Sequence, residues 1–246
     1  MKISIITATY NSGKSMTRLF QSVAMQTYAD IEHILVDGGS TDNTVQAIQG
    51  NPSISRWVSE RDRGVYDALN KGIRLATGAI IGFLHSDDVF ASSGTVAKIA
   101  GLFSDDTVDG IYGDLVFTNS EDTVIRTWIS RPFKREYIRY GWMPPHPTLF
   151  LRKAVYEKHG LFDPSFRIAG DYDFMLRVMK DTGIRLHYVP EVITIMRIGG
   201  ASTGSLKGIL AKSKEDLHAL RKNGFRFPQL VLAIKNLRKL PQLRKR

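Results

Sequence analysis

Residues 79–88 read Ala79-Ile80-Ile81-Gly82-Phe83-Leu84-His85-Ser86-Asp87-Asp88. An apolar run closed by two carboxylates is the pattern of a buried parallel strand whose end meets solvent. The same grammar recurs upstream. Val65 to Ala76 has helical spacing, with Gly78 just beyond its end where a left-handed C-cap would sit. Trp57–Glu60, Ile31–Val36 and Ile3–Thr7 read as strands. Thr41 can cap a helix running through Ile48, and Ser15 to Met25 is helical through Met16, Leu19, Phe20 and Val23. Downstream, Gly94 to Phe103 is a further helix. This alternation predicts an α/β fold, a mostly parallel central sheet flanked by helices.

The second half is less regular. Gly110–Phe117 and Thr123–Ile129 can pair as antiparallel strands. Met143-Pro144-Pro145-His146-Pro147 predicts an irregular loop, because proline removes donors and restricts its predecessor. Thr148–Leu151 is a short strand, Asp171 to Lys180 a helix, and Leu186–Pro190 and Val192–Ile198 are extended. The last forty residues read as helices, with Leu206, Ile209, Leu210, Leu217 and Leu220, then Leu230, Val231, Ile234, Leu237 and Leu240, at apolar positions.

The 246 residues give room for one large α/β domain or two small ones, and 43% apolar with 24% charged residues excludes wholesale disorder. The absence of cysteine excludes disulfides, thiolate nucleophiles, Cys-ligated zinc and iron–sulfur clusters, and permits a cytoplasmic protein. No run approaches the roughly 18 apolar residues of a spanning helix. Met1–Ile6 reads as a strand rather than a signal peptide. The net charge of +10 is unevenly placed: Leu206 to Arg246 holds 12 basic and 2 acidic residues, leaving 22 of each in residues 1–205. That distribution argues against nucleic acid as the partner of the whole chain. The basic helices suit either an anionic membrane surface or packing on the body or on a second subunit of a homodimer, with Lys239 to Arg246 frayed in both cases.

Three polar clusters fall at predicted strand ends, where open α/β sheets bind ligands. They are Thr7-Ala8-Thr9-Tyr10-Asn11, Asp37-Gly38-Gly39-Ser40-Thr41-Asp42 and Ser86-Asp87-Asp88. Paired carboxylates after a buried strand suit Mg²⁺ or Mn²⁺, or else a turn that caps the next helix. The Gly38-Gly39 pair allows a close backbone approach or a simple turn. Dinucleotide and P-loop fingerprints are absent.

With Asp62-Arg63-Gly64-Val65-Tyr66-Asp67-Ala68-Leu69-Asn70-Lys71-Gly72 added, these clusters stand in the order and spacing of one family. From about Lys2 to Ile198 the chain resembles the family 2 glycosyltransferases, inverting enzymes of the GT-A fold. Asp171-Tyr172-Asp173-Phe174-Met175-Leu176-Arg177 extends the match. The resemblance implies a catalytic domain over residues 1–205, with a nucleotide-binding half at 1–115 and an acceptor-binding half at 116–205, followed by the basic extension 206–246. It implies that Thr7, Thr9 and Asn11 line the nucleotide pocket, that Asp37 contacts the base or ribose, and that Asp62 lies in a loop closing over the nucleotide. Asn70 and Lys71 would hold that loop near the pyrophosphate. Asp88 would be the metal ligand, Asp87 a ribose or sugar contact, and Asp171 the general base. His146 and Arg197 would line the acceptor or diphosphate side. The implied cofactor is Mn²⁺ or Mg²⁺, and the implied partners are a nucleotide-sugar donor, most commonly UDP-linked, and a glycan or lipid-linked acceptor.

Three positions depart from the family pattern: Gly38 replaces a second aspartate, Ser86 the first acid of a strict D-x-D, and Gly170 a glutamate. The Gln-x-x-Arg-Trp segment of processive synthases is missing, which favours single additions. Structural roles compete for several residues: Asp171 as an N-cap, His146 as packing, Arg197 as a surface charge, Asp42 as a cap. Tyr66, Leu69 and Ile73 read as core, and Trp142 as packing or a sugar platform. The alternatives to a transferase building a surface glycan or lipid-linked oligosaccharide are a nucleotidyltransferase of related fold and a non-catalytic sugar or membrane adaptor.

Overall fold

The structure, a computed structural model, describes residues 1–197 and 206–238. The expectations for Ile198, Leu240 and the frayed Lys239 to Arg246 lie outside the described residues. In chain order the strands are β1 (Ile3–Thr9), β2 (Ile31–Asp37), β3 (Arg56–Ser59), β4 (Ile80–Phe83), β5 (Asp88–Phe90), β6 (Gly110–Thr118), β7 (Val124–Trp128), β8 (Phe150–Arg152) and β9 (Leu186–Arg197). The helices are α1 (Met16–Ala24), α2 (Thr44–Gln49), α3 (Val65–Leu75), α4 (Thr95–Leu102), α5 (Lys153–His159), α6 (Gly170–Lys180), α7 (Leu206–Lys222) and α8 (Pro228–Leu237). Two 3₁₀ turns occupy Arg135–Tyr140 and His146–Thr148, the second inside the expected proline loop.

The strands form one sheet in the order β3-β2-β1-β4-β8-β6-β9-β5, with β7 paired to β6. β1 runs parallel to β2 and β4, β2 to β3, and β6 to β9; β8, β5 and β7 run against their neighbours. The GT-A-type expectation of a mostly parallel sheet flanked by helices is met, because β8 is antiparallel to both β4 and β6 and so leaves those two pointing the same way. The run β3-β2-β1-β4 brings its carboxyl ends, and the three motif clusters, to one rim.

Alternation along β1 splits the core in two. Ile3 and Ile5 face a cluster with Met16, Leu19 and Phe20 of α1, whereas Ile6 faces a larger one with Tyr66, Leu69 and Ile73 of α3. The larger cluster continues through Phe162, Phe174, Met175 and Leu176 to Ala219, Leu220 and Val231 of α7 and α8. The C-terminal helices therefore lay one face on the body, sharing its core. Tyr66, Leu69, Ile73 and Trp142 are all buried.

Candidate active site

Asp37 ends β2 fully buried, and its carboxylate accepts from the backbone N–H groups of Gly39 (3.1 Å) and Ser40 (2.9 Å), from the Ser40 hydroxyl and from the Ser59 hydroxyl (2.6 Å). It moulds the Gly38-Gly39-Ser40 turn and ties the ends of β2 and β3 together. Asn11 holds a left-handed backbone (φ 49°), receives the Thr41 N–H at 2.9 Å and donates its own N–H to Ser40 Oγ at 2.7 Å. The β1 and β2 loops are thus fixed to each other. Thr7 and Thr9 point inward: the Thr7 hydroxyl donates to the Leu84 carbonyl (2.7 Å), and that of Thr9 to Met16 Sδ (3.8 Å). Asp42 accepts from the Thr44 N–H and hydroxyl in the turn before α2, whose N-cap position is Asn43 rather than Thr41 or Asp42.

A feature the motifs did not single out stands at this rim. Tyr10 is 61% exposed at the end of β1. A Cβ added at Gly38 would lie 3.4 Å from the Tyr10 ring and 2.6 Å from Asp62 Oδ2. An open aromatic face, a bare glycine backbone and a half-buried carboxylate therefore converge on one small space. The signal available in the sequence was an aromatic directly after a buried strand. Asp62 also receives the Gly64 N–H (2.8 Å), and Lys71 braces the same loop by donating to the Arg61 carbonyl (3.1 Å). Asn70 is committed elsewhere: its side-chain amide exchanges two hydrogen bonds with the Phe162 backbone (2.8 and 2.9 Å), anchoring the segment that leads to α6.

Asp88 opens β5, opposite Met196 of β9, while Asp87 beside it is exposed. The Asp88 carboxyl is buried, and its Oδ2 has no hydrogen-bond partner. Burial, with the Asp87 charge added, pushes its pKa well above the carboxylate range. Desolvation at this cost is relieved by a cation, so the orphaned oxygen fits a divalent ion. Among the described residues no group of three His, Asp or Glu side chains is placed to hold a metal.

Asp171 lies in the first turn of α6. Its Oδ1 receives the Tyr172 N–H (2.8 Å) and the Tyr66 hydroxyl (3.3 Å), the latter also donating to the Ile168 carbonyl (2.7 Å). Burial raises its pKa, but the positive charges of Lys212 and Lys235, with His146 and the Tyr172 N–H, outweigh burial and leave it below the usual value. The two environments thus push the carboxyl groups in opposite directions, Asp171 towards the ionised form and Asp88 towards the neutral one. Between them lies a histidine pair. His85 gives its carbonyl to the Asp88 N–H (3.0 Å), and its ring centroid is 5.9 Å from that of His146. His146 packs on Phe83 and Phe162, and its Nε2 is buried without a partner. Burial pushes His85 down to about 4 and lowers His146 as well. Arg197 ends β9 close by, but its guanidinium is bound to Asp122 (3.0 Å), which also holds Arg18 (2.7 Å).

The C-terminal helices reach this site. Glu215 of α7 accepts from the N–H groups of Arg167, Ile168 and Ala169, directly before α6. Asp173 is fully buried and receives Arg177, Lys222 and Asn223. None of this was visible in the motifs.

Residues 4–166 match the profile of Glycosyl transferase family 2. A PGL/p-HBAD biosynthesis glycosyltransferase of Mycobacterium bovis is 30% identical over 205 residues, 81% of this chain and 78% of that protein. An uncharacterised glycosyltransferase of Mycobacterium tuberculosis is 35% identical over 179 residues, 71% of this chain and 68% of its own. Among solved structures, Staphylococcus aureus TarS 1–349 with UDP-GlcNAc superposes with a TM-score of 0.72 at 18% identity, covering 98% of this chain and 73% of that one. The mannosyltransferase PcManGT of Pyrobaculum calidifontis, in complex with GDP-Man and Mn²⁺, gives 0.70 at 19% identity, covering 98% and 72%. Against the longer TarS chain, this protein spans 44% of its length.

Proposed function

The chain belongs to glycosyl transferase family 2 and has the GT-A fold, and from that premise we propose a metal-dependent, inverting transfer of a hexose-type sugar from a nucleotide-diphosphate donor to an acceptor hydroxyl. The observation that carries this reading is the pair of carboxyl groups, Asp88 buried with an unpartnered Oδ2 and Asp171 held by the Tyr66 hydroxyl and the Tyr172 N–H, which their surroundings push in opposite directions. Environments that push two acids apart separate their roles. The nucleotidyltransferase alternative loses its ground to the family match, and the adaptor alternative leaves the two acids without a purpose.

The donor nucleotide, UDP in the leading assignment, lies against Tyr10 and the Gly38 backbone, with Asp62 at its edge and Asp37 and Asn11 holding the loops in shape. Thr7 and Thr9 support this wall from behind, and Asn70 supports the acceptor side through Phe162. Asp88 would hold Mn²⁺ or Mg²⁺ through Oδ2, and Asp87 faces the sugar or ribose. When bound, the cation offsets the negative charge that grows on the departing diphosphate. Asp171 Oδ2 takes the proton of the acceptor hydroxyl, because Oδ1 is occupied by Tyr172 and Tyr66. His146 lines the acceptor side with its unpartnered Nε2. Arg197 turns to the diphosphate by exchanging Asp122 for phosphate oxygens. One displacement inverts the anomeric centre, so no protein nucleophile is needed.

The acceptor is a glycan or lipid-linked oligosaccharide, and the enzyme works in the cytoplasm as a peripheral protein at the inner face of the membrane. No described helix is long and apolar enough to cross one. Asp171→Asn is expected to lower turnover by about 10²–10⁴-fold, read as UDP release, while UDP with Mn²⁺ still raises the melting temperature. Asp88→Asn is expected to abolish the Mn²⁺-dependent part of that rise. Unchanged turnover in the first variant overturns the base assignment. No stabilisation of the native protein by UDP or GDP with Mn²⁺ overturns the donor reading.

A further inference from the structure

Helices α7 and α8 have two faces of different chemistry. The inner face carries Asp216, Ala219 and Leu220 of α7, Asn223 just after it, and Val231 and Lys235 of α8, all buried. Turned away from the body are Leu210 (63%), Leu230 (59%) and Leu237 (63%), with Phe227 (60%) exposed at the N-cap of α8. On α8, Leu230 and Leu237 fall about 20° apart at 100° per residue and about 100° or more from the buried Val231 and Lys235, while Phe227 is the N-cap residue that precedes the helix. Apolar residues on the packed side of a surface helix are ordinary; a second apolar stripe turned away from the body is not.

The charges are segregated the same way. The two acids of the hairpin both point inward: Glu215 is bound to three backbone N–H groups and Asp216 to Lys212 and Lys235. Lys214, Arg221 and Arg226 are exposed, and the Arg226 guanidinium lies 5.3 Å over the ring of exposed Phe227. The outer side of the hairpin thus combines an apolar stripe with only cationic charge.

We infer that the outer face of the α7–α8 hairpin docks the enzyme on an anionic lipid surface, inserting Phe227, Leu230 and Leu237 among the acyl chains with Lys214, Arg221 and Arg226 at headgroup level. This deepens the reading of a membrane-borne acceptor given above and rests on it. Charge complementarity favours lipid over a second copy of this chain, which would bring like charges together. Each outward lysine or arginine strengthens the attraction by about fivefold near an anionic surface, and salt weakens it.

The test is sedimentation of the full chain with phosphatidylcholine vesicles, with and without phosphatidylglycerol. The expected result is binding to the anionic vesicles only, weakened by salt and reduced at least about tenfold in the double variant Phe227→Glu, Leu230→Glu. A matched control, Val124→Glu with Ile129→Glu, alters two residues exposed elsewhere (52% and 59%) and is expected to leave binding intact. No binding to anionic vesicles, equal binding to both kinds, or equal loss in the control overturns the proposal. So does a wild-type dimer by light scattering that the Phe227, Leu230 variant converts to monomer. Stabilisation by UDP with Mn²⁺ is read on the same samples. If it persists while vesicle binding fails, the docking face falls and the transferase stands; the converse separates them the other way.

Discussion

At Gly170 the space for a side chain is already taken. A Cβ there would lie 2.8 Å from the Tyr66 ring, so the glutamate of the family pattern has no room beside this tyrosine. Gly170→Ala is expected to cost about 1–3 kcal/mol, measured by urea unfolding, and to displace the Tyr66 hydroxyl from Asp171. His33 shows a second residue-scale effect. Its Nε2 meets the Thr7 hydroxyl at 3.2 Å, and that hydroxyl already donates to Leu84, so Nε2 carries the proton. Its Nδ1 is buried with no partner, and burial pushes the pKa down to about 4. The unfolded residue takes its proton near pH 6.5, roughly the ordinary value. Acidification between about pH 6.5 and about pH 4 therefore favours the unfolded chain, His33 contributing about 3 kcal/mol of the loss and nothing further below that window, with the buried His85 adding to it. Urea midpoints across that range check it, and His33→Asn is expected to make the slope shallower.

At the scale of elements, the strands that sequence made legible were those with buried apolar runs: β1, β2 and β4 lie where their patterns put them, and the acidic clusters sit at their ends. What stayed hidden depends on distant partners. β5 has three residues and exists because Asp88–Phe90 pairs with Thr194–Met196, more than a hundred residues later. β9 is one strand where two were expected around Pro190; its pairing with β6 jumps from Tyr188 to Val192, a bulge that absorbs the missing proline N–H. Helix α5 has few residues and no strong periodicity. The internal duties of Thr7, Thr9 and Asn70 were hidden because composition does not say where a hydroxyl or amide points. The clasp between α7 and α8 gives a further test. Asp216 is 1% exposed and holds Lys235 at 2.8 Å, with the lysine ammonium 3.1 Å above the Tyr172 ring. Asp216→Ala leaves that ammonium buried without its carboxylate and is expected to cost about 3–5 kcal/mol, whereas Asp216→Leu with Lys235→Met recovers most of the loss. Thermal denaturation of the three proteins distinguishes the cases.

At the scale of the molecule, the basic extension is half body and half surface. Ala219 and Leu220 are fully buried in the same cluster as Phe83 and Met175, so residues 206–238 complete the core. A chain cut after residue 205 is expected to melt well below the full protein and to aggregate, because that cluster would face water. Thermal scans with light scattering check this. Among the described residues of the basic extension, the inward charges are paired, and Lys214, Arg221 and Arg226 are turned outward.

The grip of Glu215 on Arg167, Ile168 and Ala169 imposes an order in time. A ribosome makes the sheet, the carboxylates and α6 well before it makes this glutamate, so a nascent chain has the parts of the site without the clamp that seats them. The loop before α6 therefore takes its clamped form only after α7 has been made, although α6 and the sheet precede it in the chain.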